Sequence, residues 1–432
     1  MNSHPVLEQL AAAGVQLGLE RIRSFLDALG EPHRCAPVVH VAGTNGKGSV
    51  CAYVTAALVD AGYTVGTTIS PHLEAVNERI QINGQPVDDA TLVAAIEALD
   101  RVRWDWARER GISGVPLTYF EFLIAAAFWV FAQRRVDVMV VEVGMGGRLD
   151  ATNVVQPLVC AIPHIGLDHQ AELGATVALI AGEKAGILKR DAAVVLGALP
   201  LDAREVFERR AAGLGVPLWK PGPQLRREQR KSGWSFATPV GALSDVQLGL
   251  RGAHQGNNAL VALGVLHQLR LQGFHLPDAA IRSGLERAFI AGRVETLAPG
   301  LVVDGAHNED GARVLADWLK ASPRVQPRIL LFGMGIDRDP VAILKPLLPY
   351  VDEVVTVQCD HPKARDAQGL AELLQAQDCV LSVGGPVEES LPEVYAEAAE
   401  TVVAGSLYLV GAVRSFVLRG GLNGLRPAPA VD

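Results

Sequence analysis

The sequence predicts an α/β protein with two domains, each built around a mostly parallel β-sheet. Three observations support this fold class. Short apolar runs that suit buried strands alternate with longer stretches in which apolar residues recur at helical spacing. A glycine-rich turn joins one such strand, at 38–42, to a predicted helix at 50–58. A second series of strands and helices starts at about residue 301, after a Pro299-Gly300 turn.

Length and composition narrow the class of protein. A chain of 432 residues is long enough for two or three domains. The net charge of −8 provides no basic surface, so we expect no nucleic-acid partner. Residues 1–10 lack the pattern of a signal peptide and the apolar runs are too short to cross a bilayer, which predicts a cytoplasmic protein with no membrane partner. Five cysteines without CxxC spacing predict neither a disulfide framework nor a zinc site, and no association segment is visible, so we expect a monomer.

The turn at 43–49 has the sequence Gly-Thr-Asn-Gly-Lys-Gly-Ser. Glycines allow backbone N–H groups to approach an anion, and the start of a helix adds partial positive charge. Lys47 would reach the outer phosphates of a nucleotide, and the Ser49 hydroxyl would bind Mg²⁺. The turn therefore predicts a P-loop-type ATPase domain, although Gly48 separates Lys47 from Ser49, which the common Walker pattern does not allow.

Three polar residues at the ends of predicted strands favour a metal site beside this turn. Glu142 lies in an otherwise apolar strand, where a carboxylate must be compensated, and Mg²⁺ is the natural compensator near ATP. Ser70 and His169 each follow another predicted strand and would point into the same crevice. A plain loop at Ser70 and a solvated side chain at His169 are the alternatives.

Three stretches together resemble one protein family. They are the turn at 43–49, the segment Gly-Gly-Arg-Leu-Asp-Ala-Thr-Asn at 146–153 and the segment Thr-Tyr-Phe-Glu at 118–121. They are similar to the folylpolyglutamate synthase/dihydrofolate synthase branch of the Mur ligase superfamily. A loop with a capping Asp is the alternative for the second segment, and a helix capping box is the alternative for the third. The resemblance spans nearly the whole chain and is weakest at 104–114 and 197–245.

The resemblance implies an ATP-dependent ligase that works through an acyl phosphate. Such an enzyme adds L-glutamate to dihydropteroate, forming dihydrofolate, and to tetrahydrofolate and other reduced folates, forming folylpolyglutamates. It implies a Mur-ligase-type ATP- and pterin-binding domain at 1–291 and a smaller, Rossmann-like α/β glutamate ligase domain at 292–432. In detail, we expect a solvated basic loop at 226–231 and a strand at 406–410.

The resemblance also assigns site residues. The residues that match the family's ATP site are Thr44, Asn45, Gly46, Lys47, Gly48, Ser49, Asn258, Arg293 and Asp304. The residues that match its site for one or two Mg²⁺ ions are Ser49, Ser70, Glu142 and His169. The residues that match its pterin or folate site are Gln16, Leu17, Gly18, Thr118, Tyr119, Phe120, Glu121, Leu149, Asp150 and Ala151. The expected catalytic residues are Lys47, His307 and Lys184, with Lys184 carboxylated by CO₂.

The chain departs from the family pattern at several positions. Gln16 stands where the family often has an acidic residue, and Gln255 replaces the first Asn of the His-Asn-x-x-Asn-Ala motif. Three other functions stay open at this point. These are a monofunctional folylpolyglutamate synthase, a peptidoglycan Mur ligase, and a P-loop kinase or regulatory NTPase whose C-terminal part is an interaction module.

Overall fold

The computed structural model describes residues 4–426 except residues 12, 13, 15 and 360. The described residues form two compact units. The first extends to Gly249 and includes Gln255–Phe289, and the second contains Leu250–His254 and the residues from Ile290 onward. In the described part of the chain, no helix is long and apolar enough to cross a membrane.

The first unit is organised around an eight-stranded sheet with the strand order β4-β3-β2-β5-β1-β6-β7-β8. All neighbours from β2 to β8 run parallel, and only the β2-β3 and β3-β4 pairs are antiparallel. This confirms the predicted mostly parallel sheet. The strands are β1 Val38–Val41, β2 Val65–Thr68, β3 Ile80–Ile82, β4 Gln85–Pro86, β5 Val138–Glu142, β6 Pro157–Ile162, β7 Ala193–Leu196 and β8 Leu218–Trp219.

Helices cover the large sheet. Buried apolar side chains join the second, fourth and fifth helices to β1 and β5, and a separate apolar cluster joins the seventh and eighth helices to β6 and β7. The helices are α1 Pro5–Ala11, α2 Glu20–Ala28, α3 Lys47–Asp60, α4 Asp89–Glu109, α5 Tyr119–Arg134, α6 Gln170–Leu173, α7 Val177–Lys184, α8 Leu201–Leu214, α9 Gln255–Leu271 and α10 Asp278–Arg287. Short 3₁₀ helices lie at Pro32–Arg34, Val76–Arg79, Ala151–Val154 and Ala185–Ile187.

A small antiparallel sheet follows β8 and packs on α9. It consists of β9 Arg226–Arg230, β10 Gly233–Ala237 and β11 Ala242–Val246. The expected solvated loop at 226–231 was therefore wrong, because most of it is strand β9. All five residues of β9 are exposed, so its sequence shows none of the apolar alternation that marks a strand.

The second unit has its own six-stranded sheet with the order β12-β13-β17-β14-β15-β16. Only the β12-β13 pair is antiparallel, which confirms a second, smaller α/β sheet. The strands are β12 Glu295–Ala298, β13 Leu301–Val303, β14 Arg328–Phe332, β15 Glu353–Gln358, β16 Val380–Pro386 and β17 Glu400–Ala404. The helices are α11 Glu309–Ala321, α12 Pro340–Leu344, α13 Ala367–Leu374, α14 Val387–Glu397 and α15 Leu407–Leu418, with a 3₁₀ turn at Leu348–Tyr350.

The expected strand at 406–410 was wrong, because this segment begins helix α15. Ser406 is the N-cap, and its hydroxyl accepts a hydrogen bond from the backbone N–H of Tyr408 at 3.1 Å. The buried strand of this region is β17, which ends just before the cap. A short apolar run gives no periodicity that separates a strand from a buried helix.

Candidate active site

The glycine-rich turn between β1 and α3 places a helix N-terminus at the carboxyl edge of the large sheet. Gly46 precedes α3 with φ of +82°, a left-handed conformation that favours glycine. A Cβ atom at Gly46 would also lie 2.5 Å from Oδ1 of Asn258. Asn45 lies in the turn and Gly48 in the first turn of α3. Because the first N–H groups of a helix have no carbonyl partner within it, this arrangement suits a phosphate group.

Lys47, the first residue of α3, folds back over the turn. Its Nζ donates hydrogen bonds to the carbonyls of Gly43 and Thr44, both at 3.1 Å. Thr44 ties the turn to the loop after β6, because its Oγ1 donates to the Gly166 carbonyl at 3.1 Å and its N–H donates to the His164 carbonyl at 2.8 Å. The ammonium group therefore adds positive charge at the phosphate turn.

A chain of buried polar side chains connects this turn to α9. Nε2 of Gln255 donates to Oγ of Ser49 at 3.3 Å, and Nδ2 of Asn258 donates to Oε1 of Gln255 at 2.9 Å. All three side chains are buried. Gln255, which the sequence marked only as a departure from the Asn of the motif, therefore contacts the residue predicted to bind metal. The position of Gln255 within the motif could have indicated a site residue. Because Gln replaces the usual Asn there, the sequence did not predict its contact with Ser49.

Glu142 and Ser70 meet at the ends of neighbouring strands. The order β2-β5-β1-β6 brings the ends of four parallel strands together, so Ser70, Glu142 and the phosphate turn share one edge. Oε2 of Glu142 accepts the N–H of Ser70 at 3.2 Å, and Glu142 is 5% exposed. Among the described residues, Oγ of Ser70 is buried without a hydrogen-bond partner. A buried hydroxyl beside a buried carboxylate provides the oxygen ligands that Mg²⁺ prefers, so these residues fit the ion.

His169 lies in the loop after β6, at the same sheet edge, at the start of α6. Its side chain is 42% exposed, and its Nε2 lies 3.9 Å from Oδ1 of Asp168. Within residues 4–426, apart from the four that are not described, no three His, Cys, Asp or Glu side chains form a group that could hold a metal.

Lys184 is a buried amine at the last residue of α7. It is 5% exposed, and burial lowers its pKa to about 7, with the charge of Lys47 acting in the same direction and Asp168 and Asp150 opposing it. Its backbone lies against the glycine-rich loop, since a Cβ atom at Gly147 would be 3.0 Å from the Lys184 Cα. A substantial neutral fraction at pH 7 gives this side chain a nucleophilic lone pair.

The loop at 144–153 is organised by Asp150, which caps the 3₁₀ helix that follows it. Its carboxylate accepts the N–H of Met145 at 2.9 Å, the N–H of Thr152 at 2.9 Å and the hydroxyl of Thr152 at 2.5 Å. Burial raises the pKa of Asp150, and these hydrogen bonds oppose the rise. Leu149 and Ala151 flank Asp150, half-buried and buried respectively. The capping role considered as the alternative for this loop is therefore present.

A buried histidine continues this network from the neighbouring strand. Nε2 of His40, in β1, lies 2.9 Å from Oγ1 of Thr152. Burial lowers the pKa of His40 to about 3, so its ring is neutral at pH 7. Since the Thr152 hydroxyl donates to Asp150, the His40 Nε2–H donates to Thr152. Nothing in the sequence distinguished His40 from an ordinary strand residue.

Thr118 and Glu121 form the predicted capping box at the start of α5. The Thr118 N–H and hydroxyl both donate to Oε2 of Glu121 at 2.9 Å, and the Glu121 N–H donates to the Thr118 hydroxyl at 3.2 Å. Arg21 adds an ion pair to the same carboxylate at 3.1 Å. Oε2 of the carboxylate that the resemblance assigned to a pterin ring is therefore already bound by protein donors, whereas Oε1 is buried without a hydrogen-bond partner among the described residues. The sequence did not predict the contact with Arg21.

The aromatic side chains at the start of α5 contact two other parts of the first unit, Gly144 and Arg79. The Phe120 ring occupies the space beside Gly144, where a Cβ atom would lie 2.5 Å from it. The guanidinium of Arg79 lies 5.6 Å from the centroid of the Tyr119 ring. In the turn before α2, Leu17 is 50% exposed and Gly18 is half-buried. Phe120 thus packs against Gly144, at the start of the loop that carries residues 149–151.

The predicted residues of the second unit lie at the carboxyl end of β13. Oδ2 of Asp304 accepts the Val294 N–H and Oδ1 accepts the Ala306 N–H, both at 2.9 Å. Burial raises the pKa of Asp304, and the charge of Arg293 opposes the rise. Nδ1 of His307 lies 2.7 Å from the Gly305 carbonyl. The carboxylate of Asp304 therefore organises the backbone on both sides of it.

Comparison with known proteins shows relatives over nearly the whole length of the chain. A family model described as the dihydrofolate synthetase C-terminal domain matches residues 293–419. The dihydrofolate synthase/folylpolyglutamate synthase of Bacillus subtilis is 34% identical and is aligned over 93% of this chain and 95% of its own. The protein of the same name from Escherichia coli is 32% identical, with 95% and 94% covered.

Solved structures have the same fold. The Mycobacterium tuberculosis folylpolyglutamate synthase complexed with ADP and AMPPCP superposes with a TM-score of 0.87 at 32% identity, covering 98% of each chain. A bifunctional folylpolyglutamate synthase/dihydrofolate synthase with Mn, AMPPNP and L-glutamate bound superposes with a TM-score of 0.82 at 33% identity, covering 95% of this chain and 96% of that one. The predicted fold class is therefore confirmed.

Proposed function

Because the chain belongs to the folylpolyglutamate synthase/dihydrofolate synthase family, we propose that the residues described above join L-glutamate to a pterin-bearing carboxylic acid. The chain is an ATP-dependent ligase. Its substrates are ATP, glutamate and a folate-type acid. We propose that it accepts both dihydropteroate and tetrahydrofolate, as the bifunctional relatives' names state for those proteins, and that it acts as a monomer.

The reaction requires a better leaving group than hydroxide on the acyl carbon. A carboxylate oxygen of the pterin acid attacks the γ-phosphorus of ATP, a P–O bond forms, and ADP leaves. The amine of L-glutamate then attacks the acyl carbon of the acyl phosphate, and the C–O bond to the phosphate breaks. The products are the amide, ADP and phosphate, and the ammonium proton of glutamate passes to solvent or a nearby base.

The first unit supplies the groups that stabilise phosphoryl transfer. The N–H groups of the turn and Lys47 donate to phosphate oxygens, and Lys47 exchanges its two carbonyl contacts for them. Ser49, Ser70, Glu142 and His169 would hold Mg²⁺, which, when bound, neutralises charge on the phosphates. Gln255 orients the hydroxyl of Ser49 by the hydrogen bond it donates. Asn258 would contact the adenosine part of ATP.

The modification of Lys184 is part of this proposal. Its neutral amine adds CO₂ to form a carbamate and releases one proton, so an uncharged group becomes an anion. An anion at this position would help to hold a second Mg²⁺ ion. Support comes from the burial of Lys184, from its pKa near 7, and from its contact with the loop that carries Asp150.

Two further groups of residues complete the proposed roles. The pterin acid would lie against 16–18, 118–121 and 149–151, where Leu17 and the aromatic rings offer apolar surface. In the second unit, Arg293 and Asp304 would contact ATP and His307 would act on phosphate or glutamate. We propose the ranges 1–291 and 292–432 as the ATP- and pterin-binding domain and the glutamate ligase domain.

The hydrogen bond from the Ser70 N–H to Glu142 places the buried Ser70 hydroxyl, which has no partner among the described residues, beside the phosphate turn, and this arrangement carries the proposal. A phosphate-release assay with each substrate omitted in turn tests it. We expect release only when ATP, L-glutamate and either dihydropteroate or tetrahydrofolate are present together. If, with ATP and L-glutamate present, phosphate is released with tetrahydrofolate and not with dihydropteroate, the result would favour the monofunctional synthase. Release without any pterin acid would favour a regulatory NTPase and contradict the proposal.

A further inference from the structure

Arg21 joins two segments that are far apart in the chain. Its Nη2 donates to the backbone carbonyl of Gln16 at 2.8 Å, and the same side chain reaches Glu121 at the start of α5. There, Nε donates to Oε2 at 3.3 Å and Nη2 lies 3.1 Å from Oε1. One guanidinium thus links the turn at 16–18 to the capping box of α5.

The acceptor of this link is itself fixed. Glu121 is 3% exposed, and its Oε2 also accepts two hydrogen bonds from Thr118. The Arg21 side chain is only 30% exposed. A charge-assisted hydrogen bond at such a partly buried position is stronger than one that is exposed to water. The planar fork of a guanidinium can serve a carboxylate and a carbonyl together, whereas a lysine ammonium on a flexible stem does so poorly.

At its described residues, 16–18, the turn has little apolar anchoring, and the first buried apolar side chain after it is Leu19. On one side, α1 is held by the buried side chains of Leu7 and Leu10. On the other side, α2 is held by buried residues such as Phe25. Between them, Gln16 is exposed and Leu17 is 50% exposed. A segment with few buried apolar contacts opens at low cost in free energy, so a bond to its backbone decides where it lies.

We propose that Arg21 is a positioning residue for the pterin acid. It holds the turn at 16–18 beside the Tyr119 and Phe120 end of α5, so that the exposed face of Leu17 can cover a planar heteroaromatic ring. This inference rests on the proposed function, because it takes the pterin acid as the ligand of these segments. Arg21 touches no reacting atom in this arrangement and acts only through the turn.

This role predicts a specific kinetic pattern. A residue that fixes one wall of the ring site contributes equally to binding in the ground state and in the transition state. Its loss therefore raises KM for the pterin acid and leaves kcat nearly unchanged. A purely structural role would instead lower the melting temperature and change the parameters of all substrates together.

The experiment compares Arg21→Met and Arg21→Lys with Arg34→Met in the full chain. Arg34 is a matched control, because both side chains of its ion pair with Glu31, at 3.1 Å, are exposed.

For Arg21→Met we expect the KM for dihydropteroate to rise about 10-fold, which corresponds to the loss of one charge-assisted hydrogen bond. The kcat and the KM for ATP should stay within about twofold. Arg21→Lys should recover only part of the loss, because it keeps the charge and loses the fork. Arg34→Met should resemble the unmodified chain.

Hydrogen–deuterium exchange of residues 16–18 gives a readout that does not need turnover. We expect faster exchange in Arg21→Lys than in the unmodified chain and in Arg34→Met. An unchanged KM for dihydropteroate in both Arg21 variants, or unchanged exchange at 16–18, would overturn the inference. If Arg21→Met does not fold, Arg21→Lys carries both measurements. An unmodified chain that turns over no pterin acid would refute the proposed function, while the exchange result would still decide whether Arg21 holds the turn.

Discussion

Lys184 shows how a single buried side chain can acquire chemistry that its residue type lacks in water. A lysine amine is protonated at neutral pH in water, and here burial, with the charge of Lys47 acting in the same direction, brings the pKa of Lys184 to about 7. Because the pKa is lower in the folded chain than the ordinary value of 10.5, the folded state binds fewer protons between about pH 7 and 10.5. The contribution of Lys184 to stability is thus unfavourable below pH 7 and is relieved as the pH rises.

Carbamate formation at Lys184 should follow the same titration. CO₂ reacts with the neutral amine, so the carbamate signal in NMR with ¹³C-labelled CO₂ should increase between pH 6 and 8, with a midpoint near the pKa of about 7. Lys184→Met should remove this signal and lower ligase activity. A carbamate signal of equal intensity in Lys184→Met, or none in the unmodified chain at pH 8, would contradict the modification.

Residue contacts were the part that the sequence predicted least well. The capping box of Thr118 and Glu121 was predictable, because its two residues are three apart in one segment. The links of Arg21 to Glu121 and of Gln255 to Ser49 join residues that are far apart in the chain. No local pattern marks such pairs, since they exist only once the strands and helices have packed.

At the scale of elements, the start of α3 depends on a glycine for two separate reasons. Gly46 has a left-handed backbone, and a Cβ there would also meet Asn258. Gly62, at the other end of α3, has φ of +92°, but a Cβ atom there would have no atom of the described residues within 4 Å. Substitutions at Gly46 and at Gly62 can therefore separate the effect of backbone strain from the effect of a steric clash at the Cβ position.

We expect Gly46→Ala to weaken ATP binding by at least about 10-fold, because the turn must shift away from Asn258. Gly62→Ala should cost about 1–2 kcal/mol of stability from backbone strain and leave ATP affinity unchanged. Calorimetric titration with a non-hydrolysable ATP analogue, together with thermal melting, measures both effects. Equal ATP affinities for the two variants would contradict the proposed role of the turn.

The sheet of the second unit is fixed at its base by Arg328, which begins β14 and is fully buried. Its guanidinium pairs with Glu400 on β17 and donates to the carbonyls of Tyr350 and Pro323 at 3.2 Å and 2.9 Å. One side chain thus connects neighbouring elements of this unit. Breaking a buried pair leaves the remaining charge without compensation.

Arg328→Met should lower the unfolding free energy by about 3 kcal/mol, because Glu400, whose side chain is only 17% exposed, loses its cation. Arg324→Met is the matched control, since Arg324 pairs with Asp352 at 2.5 Å but is 40% exposed. We expect the control to change stability by less than about 1 kcal/mol. Thermal melting of both variants provides the measurement, and equal shifts would contradict the role of Arg328.

Elements were predicted well where a pattern was long and poorly where it was short. The helix that became α5 and the strands β1, β5 and β6 are long or strongly apolar, and the sequence located them. Strand β9 is fully exposed and shows no alternation, so it was predicted as a loop. The start of α15 is a short apolar run whose cap, Ser406, was the only local sign of a helix.

At the scale of the whole molecule, the two sheets place their polar residues in the same way. In each unit, parallel strands deliver the polar residues of interest to their carboxyl ends, as at Glu142 in the first unit and at Asp304 in the second. Topology of this kind is predictable from alternating strands and helices. The sequence therefore predicted which sheet edges carry the site residues better than it predicted the side-chain contacts at those edges.

Transfer of an oxygen atom from substrate to phosphate tests the central claim most directly. Dihydropteroate labelled with ¹⁸O in its carboxylate is incubated with the enzyme, ATP and L-glutamate, and the phosphate is analysed by mass spectrometry. An acyl phosphate predicts one ¹⁸O atom in each phosphate released, because the oxygen that attacked the γ-phosphorus leaves with it. Dihydrofolate formation accompanied by unlabelled phosphate would contradict phosphoryl transfer to the carboxylate.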